Sequence, residues 1–263
     1  MSEATSYPWR ILLVLWLAAL VVTPMIWPYS NGLLAIAPHP PDLPENIGML
    51  LLLRNMILAT VMIPAGLFFA GRLGLAAPYL DAWLYRRGKP EPGKRLLIRS
   101  TGWALAISAV IFAIDVVFLL LGATHPAPEI HARIPGVEAW RGIPLSFYAS
   151  VIEELAYRLF LLSALAWIVI TLTRARGPTG RAIGFWIANG LAAIAFGAYH
   201  LSGIEMFGPP SDLVILRTYL ILLVPGLVFG YLFWKRGLET AIACHFLVDI
   251  VVHVIRPLID PGA

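Results

Sequence analysis

Glu153, Glu154 and Arg158 lie together between Val151 and Phe160, in a run apolar enough to span a membrane. A charged side chain at bilayer depth costs at least ~2.5 to 3.5 kcal/mol on insertion scales, so these three imply a site with partners. Later apolar runs supply them as His200, and as His245, Asp249 and His253. On a 3.6-residue helix Glu153 and Glu154 diverge by about 100°, so the two are expected to face different partners and take different roles. Glu154 and Arg158 are four apart and stack on one face, where the guanidinium can hold a carboxylate ionised in dry surroundings. Glu153 is then expected to point toward Tyr157 and the bundle interior. The plainer reading makes all three an ion cluster that joins helices.

His245, Asp249 and His253 recur every fourth residue and line one stripe of a helix, and a polar stripe in an apolar helix faces protein rather than lipid. Singly, His200 reads as a hydrogen-bonded core histidine and His253 as an interfacial one. Two carboxylates and several histidines on separate apolar helices together point to acid/base chemistry on a water, or to a metal.

These residues must be positioned by membrane helices. The chain of 263 residues is 59% hydrophobic and 13% charged, with mean hydropathy +0.81, far from a soluble domain. The reading is all-α, a polytopic bundle of about seven spans, in which an eighth would reverse the side of one end. Residues 1–144 supply N-terminal helices and a basic loop, and 145–256 the candidate catalytic core, within one integrated membrane domain. Spans are expected at about Ile11 to Trp27, Ile47 to Ala70, Trp103 to Leu121, Leu145 to Leu172, Ala182 to Leu201, Leu213 to Trp234 and Leu238 to Ile255. Pro257 is expected to stop the last, and the proline-rich stretch Pro28 to Asn46 to be a non-helical loop. A proline-bearing loop with Pro126, Pro128 and Pro135 leads into the fourth.

Basic residues crowd residues 72–99, then recur at Arg174, Arg176 and Arg181, and at Lys235 and Arg236. Loops after the second, fourth and sixth spans thus carry the cytoplasmic signature, which predicts a cytoplasmic N-terminus in a cell membrane. Ala77 to Tyr85 has helical spacing suited to the membrane surface. The net charge of +4 is explained by orientation and anionic lipid, and nucleic acid is not an expected partner. A single cysteine, Cys244, excludes an internal disulfide and is expected to be a small buried apolar residue. Arg54 and Asp115 fall at similar depths and are expected to pair, and Arg217 to snorkel outward.

The ordered set Glu153-Glu154-x-x-x-Arg158, Phe196-x-x-x-His200 and His245-x-x-x-Asp249 resembles the motifs of the CPBP family, the CAAX proteases and bacteriocin-processing enzymes. The resemblance covers about Leu145 to Ile255, and Gly237 to Phe246 adds to it. It implies a glutamate-dependent intramembrane endopeptidase acting on a membrane-associated protein or peptide, with no metal or other cofactor. By the same resemblance Glu153 and His200 activate a water, His245 and Asp249 stabilise the oxyanion, and Glu154, Arg158 and Phe196 support the site. Family members often carry asparagine where this chain has Asp249, so Asp249 must be protonated or must orient His245 as donor. The predicted topology also puts His245 nearer the opposite side from Glu153 and His200, so the three can meet only near mid-membrane. Competing readings are a divalent-metal hydrolase using Glu153, His200 and His245, with Glu154 or Asp249 as a further ligand, a proton- or cation-coupled transporter, and a non-enzymatic scaffold or immunity-type protein.

Overall fold

Hydrocarbon offers no partner for backbone N–H and C=O groups, so an apolar chain of this kind must satisfy them within helices. The computed structural model describes residues 7–37, 40, 42–75, 77–123, 139–175, 177–205 and 208–259. Among them there is no strand, and seven helices are long and apolar enough to cross a membrane. They run Trp9–Ala35, Ile47–Leu73, Gly93–Leu120, Ala139–Leu172, Gly177–Leu201, Asp212–Arg236 and Leu238–Ile259. The loop expected around Pro126, Pro128 and Pro135 lies outside the described residues.

The second span shows how the pattern selects its faces. Asn55, Ala59, Ile63, Gly66, Ala70 and Leu73 are buried, whereas Leu50, Leu53, Ile57 and Val61 are exposed on another stripe, as lipid contact requires. Half of that inner stripe, Ala59, Gly66 and Ala70, is small, which lets backbones approach. At Gly66 an added Cβ would meet the Leu159 carbonyl oxygen at 2.8 Å, so this helix lies directly against the segment bearing Glu154 and Arg158. The apolar core there joins Leu15, Ile63, Leu159 and Phe233, residues from both halves of the chain. Between the fifth and sixth spans, Gly230 admits Asn189, whose Nδ2 donates to the Leu227 carbonyl at 2.9 Å and ties the two together.

Three expectations about the helix ends and loops meet the structure differently. Trp27–Ile36 is helical rather than a loop, because Pro28 sits in the first turn, where its missing N–H costs nothing, and the next eight residues tolerate a helix. Pro257 does not end the last span, since it occupies the first turn of the short helix Arg256–Ile259. The helix Pro78–Tyr85 forms where its spacing predicts. Its N-terminal amides at Tyr79 and Leu80 donate to one Glu239 oxygen at 3.0 and 2.9 Å, which couples it to the start of the seventh span.

The expected Arg54–Asp115 pair is not formed. The second span packs on the fourth, while the third packs on the sixth and seventh, so the two residues face different neighbours. Arg54 instead donates to Asn55 Oδ1, and Asn55 Nδ2 to the Tyr148 hydroxyl. Asp115 accepts from Arg217 at 2.7 Å and from Arg256 at 2.6 Å. Arg217 therefore turns inward rather than snorkelling, because a carboxylate is within its reach inside the bundle.

Candidate functional site

The two spans that carry the motif carboxylates and Arg158 both leave α-helical geometry at the site. Glu153 closes the helix Gly142–Glu153, and Glu154 opens a π-helical stretch, Glu154–Leu162. Asp249 closes Leu238–Asp249, and a second π-helical stretch, Ile250–Ile255, follows. Widened turns of this kind recur at functional positions because they re-aim side chains. Ser163 Oγ answers the first one by donating to the carbonyl five residues back, at Arg158.

Glu154 is fully buried and lies 3.2 Å from Arg158 Nη1, as the four-residue spacing predicts. Arg158 is 2% exposed and sandwiched between the Phe196 and Phe229 rings, 4.8 and 5.3 Å from their centroids. Its Nη2 donates to the Gly226 carbonyl at 3.2 Å. An added Cβ at Gly226 would meet Ala193 at 2.9 Å, so glycine sets the close approach of the fifth and sixth spans beside that carbonyl. A guanidinium fixed on four sides then holds Glu154, and Glu154 holds a histidine: His245 Nδ1 lies 2.8 Å from Glu154 Oε1.

A carboxylate beside a guanidinium can only accept, so Nδ1 of His245 carries a proton and Nε2 faces the cavity. His200 repeats the device with a backbone partner. Its Nδ1 is 2.9 Å from the Phe196 carbonyl, also an obligate acceptor, which leaves Nε2 directed inward. Glu153 lies between the two rings, with Oε1 at 3.7 Å from His200 Nε2 and Oε2 at 3.7 Å from His245 Nε2. Asp249 Oδ1 is also 3.7 Å from His245 Nε2. These separations exceed a direct hydrogen bond and suit groups that share an intervening water or substrate atom.

All seven residues singled out by the motifs are thus in one place, although they come from the fourth, fifth and seventh spans. Glu153 and Glu154 do share a partner, contrary to expectation, because the His245 ring offers each a different nitrogen. His253 is not merely interfacial: it lines the same cavity and packs edge-on against Tyr29 at 5.7 Å. Cys244 is fully buried, as expected of an apolar cysteine.

Phe229, stacked on His245 at 4.6 Å and 20°, is a site residue the motifs do not mark. The signal for its neighbourhood was Pro225-Gly226 within an apolar span, where proline removes a backbone donor and glycine removes bulk.

Glu153, His200, His245 and Asp249 line a cavity of about 260 Å³ whose other walls are largely apolar. Glu153 also borders a second cavity of about 290 Å³, with Tyr148, Tyr157 and Arg54 in its wall. One carboxylate is therefore reached from two sides. Among the described residues no group of three or more His, Cys, Asp or Glu side chains has the geometry to hold a metal ion.

The fold and site define a polytopic α-helical membrane protein with a buried carboxylate–histidine centre. Residues 135–251 match the family model described as Type II CAAX prenyl endopeptidase Rce1-like. That segment is less than half of the chain and contains all three of the motifs that resemble the CPBP family. No curated protein and no solved structure matches the chain.

Proposed function

We propose that this protein is a glutamate-dependent intramembrane endopeptidase. The observation that carries the reading is Glu153 flanked by two histidines, each with Nδ1 already committed and Nε2 turned toward it. A water between Glu153 Oε1 and His200 Nε2 donates to both. Glu153 takes one proton as the oxygen adds to the scissile carbonyl carbon. The oxyanion that forms is met by His245 Nε2–H in the imidazolium form and by Asp249. The proton held on Glu153 then passes to the amide nitrogen as the C–N bond breaks, leaving a carboxyl on one product and an amine on the other.

Asp249 acts here as a protonated acid. An ionised carboxylate would repel the oxyanion, and the alternative duty of orienting His245 is already met by Glu154 at 2.8 Å, against 3.7 Å for Asp249. Asp249→Asn keeps a donor of the same shape and is expected to retain cleavage within about tenfold. Asp249→Ala is expected to lose about a hundredfold, the scale of removing one oxyanion donor. Comparable losses in both variants, at matched folding, would remove Asp249 from this role.

The substrate is a membrane-associated protein or peptide, and the description of the matching family makes a lipidated C-terminal segment the first to try. The basic loops after the second, fourth and sixth spans support a cytoplasmic N-terminus. The reading assigns no metal. The test is purified protein in liposomes with a quenched fluorogenic peptide carrying a farnesylated cysteine. Cleavage that persists after o-phenanthroline and EDTA is expected. Loss on chelation, restored by zinc, would instead make Glu153, His200 and His245 metal ligands. No cleavage of this peptide, together with no new chain termini by mass spectrometry in expressing cells, would overturn the peptidase reading.

A further inference from the structure

The proposed hydrolysis leaves unused the second cavity, on whose wall Glu153 also lies. The second and fourth spans enclose it with Tyr199 of the fifth, and Arg54, Asn55, Tyr148 and Tyr157 belong to its polar lining. Three of these side chains form a hydrogen-bonded row that starts at the protein surface. Arg54 is exposed and donates through Nε and Nη2 to Asn55 Oδ1, at 3.3 and 3.2 Å. Asn55 is buried and donates through Nδ2 to the Tyr148 hydroxyl at 3.3 Å. A guanidinium can only donate, so Arg54 fixes which way the Asn55 amide is turned. The Tyr148 oxygen is the acceptor in its bond, which leaves its own O–H to donate elsewhere. That hydroxyl lies within electrostatic reach of Glu153, as does the hydroxyl of Tyr157, whose ring packs on Phe196 and Tyr199. Among the described residues neither O–H has an acceptor.

An apolar occupant of the second cavity would leave both donors unpaired, whereas water offers each a partner. A volume of about 290 Å³ has room for several waters. The first cavity, of about 260 Å³ and largely apolar walls, must take the scissile peptide and sheds water as the peptide enters. Each turnover nevertheless consumes one water at Glu153. Resting on the peptidase reading, we propose that the second cavity holds the water that Glu153 draws on, with Arg54, Asn55 and Tyr148 as its hydrogen-bonded entrance. Arg54 follows Ile47, the first residue of its helix, by seven positions, or about 10 Å along the axis. A guanidinium at that depth can reach the interface. Water and peptide therefore approach one carboxylate from different sides, and the peptide need not leave for water to arrive.

The test combines accessibility with kinetics in the full-length protein in liposomes. Ala156 lines the second cavity, is half-buried and lies outside the catalytic set. Protein carrying Ala156→Cys, with Cys244→Ala to remove the natural thiol, is treated with methanethiosulfonate ethylammonium, which needs a thiolate and hence water at the introduced thiol. Mass spectrometry is expected to show complete modification, and with Glu153→Gln added a saturating farnesylated peptide should slow it by less than about threefold. No modification, in protein that labels fully once denatured, would overturn the assignment. Stronger protection by the peptide would also overturn it and give the cavity to the apolar part of the substrate. Ala156→Leu fills the space and is expected to lower kcat at least about tenfold while KM stays within about threefold, a split that general misfolding does not produce. An unchanged kcat in that variant would likewise refute the proposal, and the labelling result decides where Ala156→Leu fails to fold. Labelling does not depend on cleavage, so failure of the peptidase reading is seen separately, as absence of cleavage by the unsubstituted protein.

Discussion

Glu153→Gln is expected to lower kcat for peptide cleavage by about 10² to 10⁴, the range contributed by a positioned general base. Glutamine preserves the shape of the side chain between His200 and His245 but cannot take a proton from water. Its effect should fall on kcat far more than on KM, because in the proposed role the carboxylate acts on the water as it attacks and not on the bound peptide. Stability should hold or rise, since Glu153 is only 12% exposed and a neutral amide is cheaper to keep there than a carboxylate. The check is single-turnover cleavage in liposomes beside thermal unfolding of the same preparation. Cleavage within about threefold of the unsubstituted protein would end Glu153's role as base and leave the site as a structural cluster.

Arg158→Met is expected to produce the largest loss of stability of any single change at the site. Arg158 is nearly inaccessible, and it faces Glu154, the Gly226 carbonyl and two aromatic rings at once. Removing it leaves a fully buried carboxylate without its cation, which costs about 3 to 5 kcal/mol. In a chain of this size that corresponds to a fall in Tm on the order of 10 °C. Glu154→Gln in the same chain should recover much of the loss, since an uncharged side chain no longer needs the cation. Activity should not return with stability, because His245 then lacks the ionised partner that fixes its Nδ1 proton. Tryptophan fluorescence on heating in detergent reads the first effect, and peptide cleavage the second. An unchanged Tm in Arg158→Met would mean that Glu154 is held by something other than this pair.

Hydropathy alone was enough to place the spans. A run of some twenty apolar residues has few alternatives to a membrane helix, so all seven appear where predicted, although the first runs on to Ala35 rather than Trp27 and the third starts at Gly93 rather than Trp103. The error at Pro28 came from reading proline as a breaker where it stood in a helix's first turn. The motif residues were legible for a related reason. Charge inside hydrocarbon is costly, so Glu153, Glu154, Arg158, His200, His245 and Asp249 stood out against their surroundings, and four-residue spacing correctly paired Glu154 with Arg158.

Pairings between helices were not legible. Depth suggested that Arg54 should meet Asp115, but depth leaves open which helices are neighbours, and the fold puts Asp115 with Arg217 and Arg256. Angular position on one helix suggested that Glu153 and Glu154 could not share a partner, yet an imidazole has two nitrogens and its placement depends on a third helix. Stacking of Phe229 on His245 and the shift to π geometry after Glu153 and Asp249 likewise leave no periodic mark, because they arise where facing side chains must fit. What the chain determined by itself was its solvent, its spans and the residues that could do chemistry, since each follows from local transfer energies. Which nitrogen faces which oxygen, and which cations share a carboxylate, was decided only when seven helices packed, since those facts depend on distances between residues far apart in sequence.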